Sequence, residues 1–155
     1  MGIEIERKFL VEGTDWRSEA VASKAMKQGY LGRLGKASVR VRTTEDAAYL
    51  NIKSADLGIS RREYEYAIPL AEADEMLETI AEGAIIDKTR YIVPFGAHTW
   101  EIDVFAGPNA GLVVAEIELA TPDEPFERPV WLGKEVSDDP RYYNVCLVTH
   151  PYSEW

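Results

Sequence analysis

The feature that most constrains this chain is an alternation of charged and apolar residues. Residues 2–11 read GIEIERKFLV, so Glu4, Glu6 and Lys8 are spaced two positions apart. Because successive side chains of a β-strand point to opposite faces, this spacing places two carboxylates and an ammonium on one face. Such a strand needs a wet, charged environment on that face.

Six further segments repeat the alternation: 38–42, 49–53, 61–66, 88–93, 101–104 and 114–119. Their period of two predicts β-strands. The seven segments together place eight carboxylates and seven cations on one set of faces. The carboxylates are Glu4, Glu6, Glu63, Glu65, Glu101, Asp103, Glu116 and Glu118, and the cations are Lys8, Arg40, Arg42, Lys53, Arg61, Lys88 and Arg90.

The alternation alone also fits a half-buried sheet whose charged face lies in solvent. The segregation of charge favours another interpretation, because three strands pair acids (4/6, 101/103, 116/118) and two pair bases (40/42, 88/90). Like charges on one face repel unless a bound ion or ligand compensates them. Carboxylates suit Mg²⁺ or Mn²⁺, and arginines match phosphate oxygens. The pattern therefore indicates a site for a polyanion carried with divalent metal.

These segments, together with QGYL at 28–31, GKEVS at 133–137 and RYYN at 141–144, occur in an order that resembles the CYTH superfamily, also called triphosphate tunnel metalloenzymes. The resemblance runs from residue 3 to about residue 149. It implies one domain over 1–155, of a β-dominated α+β class, with a closed eight-stranded antiparallel β-barrel and flanking helices. The run EIERKFL at 4–10 is most similar to the bacterial inorganic tripolyphosphatases.

The resemblance also implies an activity: metal-dependent hydrolysis of inorganic triphosphate to pyrophosphate and orthophosphate inside the barrel, with water as nucleophile and Mg²⁺ or Mn²⁺ as cofactor. The implied metal ligands are Glu4, Glu6, Asp103, Glu116 and Glu118. The implied phosphate-binding residues are Lys8, Arg40, Arg42, Lys53, Arg61, Lys88 and Arg90. Glu6 and Lys8 are the catalytic candidates, with Lys8 orienting the attacking water or neutralising an end phosphate. Further candidates are Glu63, Glu65, Glu101, Lys134 and Arg141, of which Glu63 and Glu65 either bind metal or hold neighbouring cations.

Three alternatives stay open at this point. The chain could hydrolyse an organic triphosphate such as thiamine triphosphate or a nucleoside triphosphate, act as a class IV-type adenylate cyclase, or bind polyphosphate or nucleotide without turnover. One departure bears on the substrate, because close relatives tend to have lysine where this chain has Tyr143. If that cation helps to close the tunnel, either Tyr143 weakens the binding of triphosphate or Lys134 or Arg141 compensates.

Composition bounds the partners. The chain has 155 residues, 46% of them hydrophobic, and a net charge of −10, which disfavours nucleic acid and anionic membranes as partners. The local basic strands instead favour a small anion, which the resemblance implies to be a triphosphate. No apolar run approaches about 18 residues, and the single Cys146 predicts a buried thiol rather than a disulfide. We expect a cytoplasmic protein, and a homodimer is compatible with base rates. His98 and His150 are expected at the surface.

Three helices are predicted. The first spans 71–82 with Gly83 as its C-terminal stop, the second spans about 15–21 with Thr14 or Asp15 as N-cap, and the third runs from 140 or 141 to 149. Turn residues occur at 32–35, 45–46, 56–58, 94–96 and 107–109. Trp16, Met76, Leu77 and Leu147 are predicted to be core residues.

Overall fold

The computed structural model describes residues 2–55 and 58–155, and nine antiparallel β-strands dominate it. The strands are β1 (Gly2–Val11), β2 (Ala22–Leu34), β3 (Ala37–Thr43), β4 (Ala48–Ser54), β5 (Ser60–Ile68), β6 (Glu82–Phe95), β7 (His98–Phe105), β8 (Val113–Glu118) and β9 (Leu132–Glu135). The helices are α1 (Leu70–Thr79) and α2 (Asn144–Leu147), with short 3-10 segments at Asp15–Glu19, Gly107–Asn109, Pro140–Tyr142 and Tyr152–Glu154. No helix in this described part is long and apolar enough to cross a membrane.

Strand β1 closes the sheet into a barrel. The strand order is β5-β4-β3-β2-β6-β7-β8-β1-β9, and the first residues of β1 also pair with β5. Eight strands thus form a ring, and β9 is an extra strand beside the end of β1. Closure leaves the ring without free edges, which would otherwise offer unpaired backbone groups. The predicted eight-stranded antiparallel barrel and β-dominated class are confirmed.

Most of the hydrophobic core lies outside the barrel, because the strand register turns the charged residues inward. Glu4 lies opposite Arg61 across the β1–β5 pair, and Lys8 lies opposite Glu116 across the β1–β8 pair. The outward faces carry two apolar clusters, one around Trp100 and one that joins Val41 with Ala73. A third cluster, which joins Ile86 with Leu147, lies on the inward faces, because Ile86 pairs with the inward-facing Gln28. The same alternation therefore supplies both a polar interior and an apolar exterior.

Helices cover only part of this apolar exterior. Helix α1 packs against β2, β3 and β4 and buries Ala73. Elsewhere the cover is mostly extended chain: Phe126 and Trp131 pack edge-on against Trp100, with ring centroids 5.7 and 5.5 Å away. Of the expected flanking helices, only α1 is longer than two turns, and aromatic side chains from irregular segments cover the cluster around Trp100.

The predicted helix boundaries need correction. Helix α1 ends at Thr79, and Gly83 is the second residue of β6 rather than a helix stop. The segment after Thr14 forms a 3-10 turn, and Thr14 makes no side-chain capping hydrogen bond. The third predicted helix is a 3-10 turn followed by α2, separated by Tyr143 in an extended conformation.

Most expected core residues are buried, and the exceptions are instructive. Trp16 and Leu147 are buried, whereas Met76 and Leu77 on α1 are half-buried. Cys146 is also half-buried, because it sits on the outer side of the short α2 turn from Leu147.

The two histidines differ in exposure. His98 is half-buried and pairs with Glu124, while His150 is exposed as expected. The turn expected at 56–58 falls partly on residues 56–57, which lie outside the described residues.

Gly83 is required where the C-terminal segment docks on the barrel. Its φ is +70°, and a Cβ added there would lie 2.5 Å from the carbonyl oxygen of Val148. The next residue, Ala84, donates its backbone N–H to that same oxygen at 2.9 Å. A side chain at position 83 would therefore be strained and would push the segment carrying Val148 off the barrel.

We predict that Gly83→Ala destabilises the protein more than Gly13→Ala does. Gly13 shares the φ of +70° but has open space around its Cβ position. The backbone strain alone should cost about 1–2 kcal/mol at either site, and the clash should add about 1–3 kcal/mol at Gly83. Urea denaturation of both variants measures the difference, and equal losses would contradict the docking role.

Candidate active site

The barrel encloses a cavity of about 340 Å³ whose lining is mainly charged. The lining residues are Glu4, Glu6, Lys8, Tyr30, Ser38, Arg40, Arg42, Lys53, Arg61, Glu63, Glu65, Lys88, Arg90, Glu101, Glu116, Glu118, Tyr143, Asn144 and Val145. Seven are cations and seven are carboxylates. Every predicted site residue lines the cavity except Asp103, Lys134 and Arg141.

Asp103 faces the barrel interior opposite Arg90 but is fully buried and does not line the cavity, and it holds two of the cavity cations. Lys88 Nζ donates to Asp103 Oδ2 at 2.7 Å, and Arg90 donates through Nε and Nη2 at 2.8 and 2.9 Å. Burial alone would raise the pKa of Asp103, but Arg90 and Lys88 outweigh it and hold that pKa at about 2. The geometry therefore gives Asp103 a positioning role towards Lys88 and Arg90, and its role as a metal ligand stays a prediction.

Lys134 and Arg141 lie outside the cavity. Lys134 is exposed on β9. Arg141 is exposed, pairs with Asp139 at 2.7 Å and has its guanidinium carbon 4.8 Å from the Trp155 ring centroid. The cavity is lined at position 143 by the tyrosine itself, so neither Lys134 nor Arg141 supplies a cation to the cavity beside Tyr143.

Carboxylates on β1 face partners of the same charge. Burial, followed by the nearby Glu116 carboxylate, raises the pKa of Glu6 well above its ordinary value. Burial and a hydrogen bond with Glu63 likewise raise the pKa of Glu4. Facing carboxyl groups with raised pKa values lose their protons less readily. A divalent cation bound beside them would stabilise their ionised form.

The carboxylate pairs fit a divalent cation that is coordinated partly by the protein and partly by a bound phosphate ligand. Among residues 2–55 and 58–155, no group of three or more His, Cys, Asp or Glu side chains is arranged to hold a metal ion by itself. Mg²⁺ is usually held by one or two carboxylates, with substrate phosphates and water completing its octahedron. The pairs Glu6 with Glu116 and Glu4 with Glu63 supply that number of protein ligands.

Lys8 is a cation rather than a base in this cavity. Its Nζ donates to Glu116 Oε1 at 3.1 Å. Burial opposes its charge, but Glu116 and Glu6 outweigh burial and raise the pKa of Lys8. A lysine in this state donates hydrogen bonds to an anion or a water and does not accept a proton from one.

Arg42 is the cation whose charge is least compensated. Within the described part of the chain no carboxylate lies within 4.0 Å of it. Burial, together with Arg40 and Arg90, lowers the pKa of Arg42 to about 10. Arg61 likewise has no carboxylate within 4.0 Å among the described residues. The other cavity cations all have carboxylate partners: Lys8, Arg40, Lys53, Lys88 and Arg90. An incoming anion would gain most at Arg42 and Arg61.

Neutral amides that sequence reasoning missed hold these charges in place. Gln28 is fully buried, accepts from Arg42 Nε at 2.8 Å and donates to Asn144 Oδ1 at 2.8 Å. Lys88 Nζ also donates to that Asn144 oxygen at 3.3 Å. The amide pair therefore connects two cavity cations that lie on different strands.

A second buried amide has the same function on β4. Asn51 accepts from Arg40 Nε at 3.4 Å and donates to Glu65 Oε2 at 2.7 Å. The signal was present in the alternation, because Asn51 lies two positions before Lys53 and Gln28 two before Tyr30. A pattern scored on charge alone passes over amides, which carry hydrogen bonds but no charge.

A closed barrel lined by intermixed cations and carboxylates defines a binding site for a multiply charged anion. The chain belongs to the CYTH domain family, whose model matches residues 2–143. An inorganic triphosphatase of Acetivibrio thermocellus is 48% identical over 155 residues, covering 100% of this chain and 99% of that protein. An inorganic triphosphatase of Nitrosomonas europaea is 39% identical over 150 residues, covering 93% and 95%. A crystal structure of the inorganic triphosphatase NE1496 superposes with a TM-score of 0.69 at 34% identity, covering 94% of this chain and 97% of that one.

We predict that Asp103→Asn lowers the free energy of unfolding by about 3–5 kcal/mol, because it leaves two buried cations without their shared carboxylate. Asp139→Asn is the matched control, since its ion pair with Arg141 is exposed and should contribute only a small fraction of that value. Urea denaturation at neutral pH compares the two. A loss in Asp103→Asn as small as the control's would contradict the positioning role.

Proposed function

We propose that this protein hydrolyses inorganic triphosphate to pyrophosphate and orthophosphate in the barrel cavity, with Mg²⁺ or Mn²⁺ as cofactor. The observation that carries the proposal is the cavity lining, in which cations and carboxylates are equal in number and enclosed together. Two full-length relatives that are named inorganic triphosphatases support it.

The lining favours an inorganic substrate over an organic one. Fourteen of the nineteen lining residues are charged, and the remainder are Tyr30, Ser38, Tyr143, Asn144 and Val145. A nucleoside or thiamine group would need apolar surface and matched hydrogen bonds, since such ligands bury most of their area in apolar pockets. A bare phosphate chain needs only positive charge and hydrogen-bond donors, and the cavity offers these on several strands.

Binding and positioning of the phosphates fall to the cations. Arg42 and Arg61 neutralise phosphate oxygens first, since both lack carboxylate partners among the described residues. The paired cations, such as Lys53 and Arg90, contribute once the phosphates compete with their carboxylates. Phosphoryl transfer requires little covalent help from the protein, so charge stabilisation in an enclosed site supplies most of the rate enhancement.

The carboxylates of β1 and β8 would hold the divalent metal. Glu4, Glu6, Glu116 and Glu118 are the proposed ligands, with Glu63 adjoining Glu4. When bound, the metal supplies charge neutralisation on the phosphate oxygens and acidifies coordinated water. Lys8, held by Glu116, is placed to donate a hydrogen bond to the attacking water or to an end phosphate.

We predict rapid orthophosphate release from inorganic triphosphate in the presence of Mg²⁺ or Mn²⁺, and its loss in EDTA. ATP and thiamine triphosphate in parallel reactions should be turned over at least about 100-fold less efficiently, a difference in transition-state binding of about 2.7 kcal/mol. Formation of cyclic AMP from ATP would support a cyclase, turnover confined to an organic triphosphate would change the substrate, and tight binding without turnover would support a binding module.

We predict that Arg42→Met lowers kcat/KM for inorganic triphosphate by about 10–100-fold, as expected for loss of a charge-assisted hydrogen bond worth about 1.5–3 kcal/mol. The effect should appear mainly in KM if Arg42 holds the ground-state phosphate. Arg33→Met is the matched control, because Arg33 lies on the neighbouring strand β2 and is exposed. A KM for Arg42→Met equal to that of the control would remove Arg42 from the binding site.

A further inference from the structure

The side chain of Tyr143 separates two cavities. On one side is the main cavity, and on the other is a small pocket of about 10 Å³ that includes Gly58 and Ser137. Both are lined by Glu6, Lys8, Arg61 and Tyr143. The tyrosine is only 7% exposed, so its ring forms a wall at this end of the barrel.

Contacts from several directions hold the ring in this position. Its hydroxyl donates to the Ser137 carbonyl oxygen at 2.7 Å and accepts the Gly58 N–H at 3.3 Å. The ring centroid lies 5.8 Å from Lys8 Nζ and 5.4 Å from the guanidinium carbon of Arg61, within the range of cation–π attraction. The wall is therefore anchored to the segment after β9, to the start of β5 and to two cavity cations.

The opposite end of the cavity leads to the surface. There the lining residues Glu4, Glu63, Glu65 and Glu118 also line a surface pocket that includes the exposed Tyr66. The cavity thus has an acidic end that opens outward and a closed end formed by Tyr143 beside Lys8 and Arg61. A linear anion that enters at the acidic end meets the ring.

We propose that Tyr143 determines the maximum chain length of the polyphosphate that this cavity accepts; the inference rests on the proposed function. A linear polyphosphate is a series of like-charged units, and cations attract every unit in the same way. Charge alone therefore does not distinguish three phosphates from four, whereas a fixed ring at the closed end stops the chain there and leaves a further phosphate at the open end, among the carboxylates of Glu4, Glu63, Glu65 and Glu118. Without the ring, the main cavity would continue into the small pocket that includes Gly58 and Ser137.

The test compares linear tripolyphosphate with linear tetrapolyphosphate as substrates for the wild-type protein and for Tyr143→Phe, Tyr143→Leu and Tyr143→Ala. The readout is the ratio of the two kcat/KM values, from initial orthophosphate release. We expect the wild type to favour tripolyphosphate, Tyr143→Phe to keep that ratio within about twofold, and Tyr143→Ala to shift it at least about tenfold towards tetrapolyphosphate.

Tyr143→Phe serves as the control for the hydroxyl, because it keeps the ring and loses the hydrogen bonds to Ser137 and Gly58. If Tyr143→Ala does not fold, Tyr143→Leu still shortens the side chain and should move the ratio in the same direction. If Tyr143→Ala and Tyr143→Leu lose activity on both substrates equally, so that the ratio is unchanged, the proposal is overturned. It is also overturned if Tyr143→Phe changes the ratio as much as these smaller side chains do.

The same experiment separates this inference from the proposed function. A wild-type protein that hydrolyses neither compound would overturn the proposed activity. The ratio of dissociation constants for the two compounds, measured by isothermal titration calorimetry, then reports on the wall directly. Equal affinity of the wild type for both compounds, unaltered in Tyr143→Ala, would overturn the chain-length role whatever the activity.

Discussion

Charge compensation inside a closed barrel is the constraint on which the rest of this structure depends. Burying an ionised group without a partner costs several kcal/mol or more, and this barrel turns seven cations and seven carboxylates inward. The pairs Lys8 with Glu116 and Lys53 with Glu4 join strands that are far apart in sequence. The interior is thus stable only when the strands that carry the opposite charges are in register.

Placing the charges inside obliges the apolar residues to pack outside, and this explains the peripheral elements. Phe9, Trp100 and Ile102 on the outer faces are fully buried by chain that lies over the barrel. The C-terminal segment instead packs against inward-facing residues: Leu147 is buried in the cluster with Ile86, and Tyr143 and Asn144 line the cavity. A short segment therefore couples the packing of this cluster to the geometry of the site.

The strand pattern was predictable because a period of two with segregated charge permits few other arrangements. Glu4, Glu6 and Lys8 could be assigned to one inward face from their spacing alone, and the structure places all three there. Barrel closure came from the resemblance to a family, since alternation does not show that β1 pairs with both β5 and β8.

The elements that the sequence did not predict depend on long-range contacts. The end of α1 before Gly83 and the extended backbone at Tyr143 are set by docking against other segments, which local periodicity does not encode. The hydrogen bond from Gln28 to Asn144, 116 positions away, is likewise not encoded in local periodicity.

The balance of charge also bears on how a polyanion enters an acidic protein. The chain carries a net charge of −10, so a bare triphosphate is repelled at long range, and the acidic residues at the open end add to that repulsion. A triphosphate that arrives with its divalent metal has part of its charge neutralised, and it offers new partners both to the cations and to the carboxylates of the interior. In the proposed exchange, phosphate oxygens would replace the Glu4 carboxylate at Lys53, and the released carboxylate would face the cation. The ion pairs of the free cavity therefore keep both sets of ligands in place until the proposed substrate exchanges partners with them.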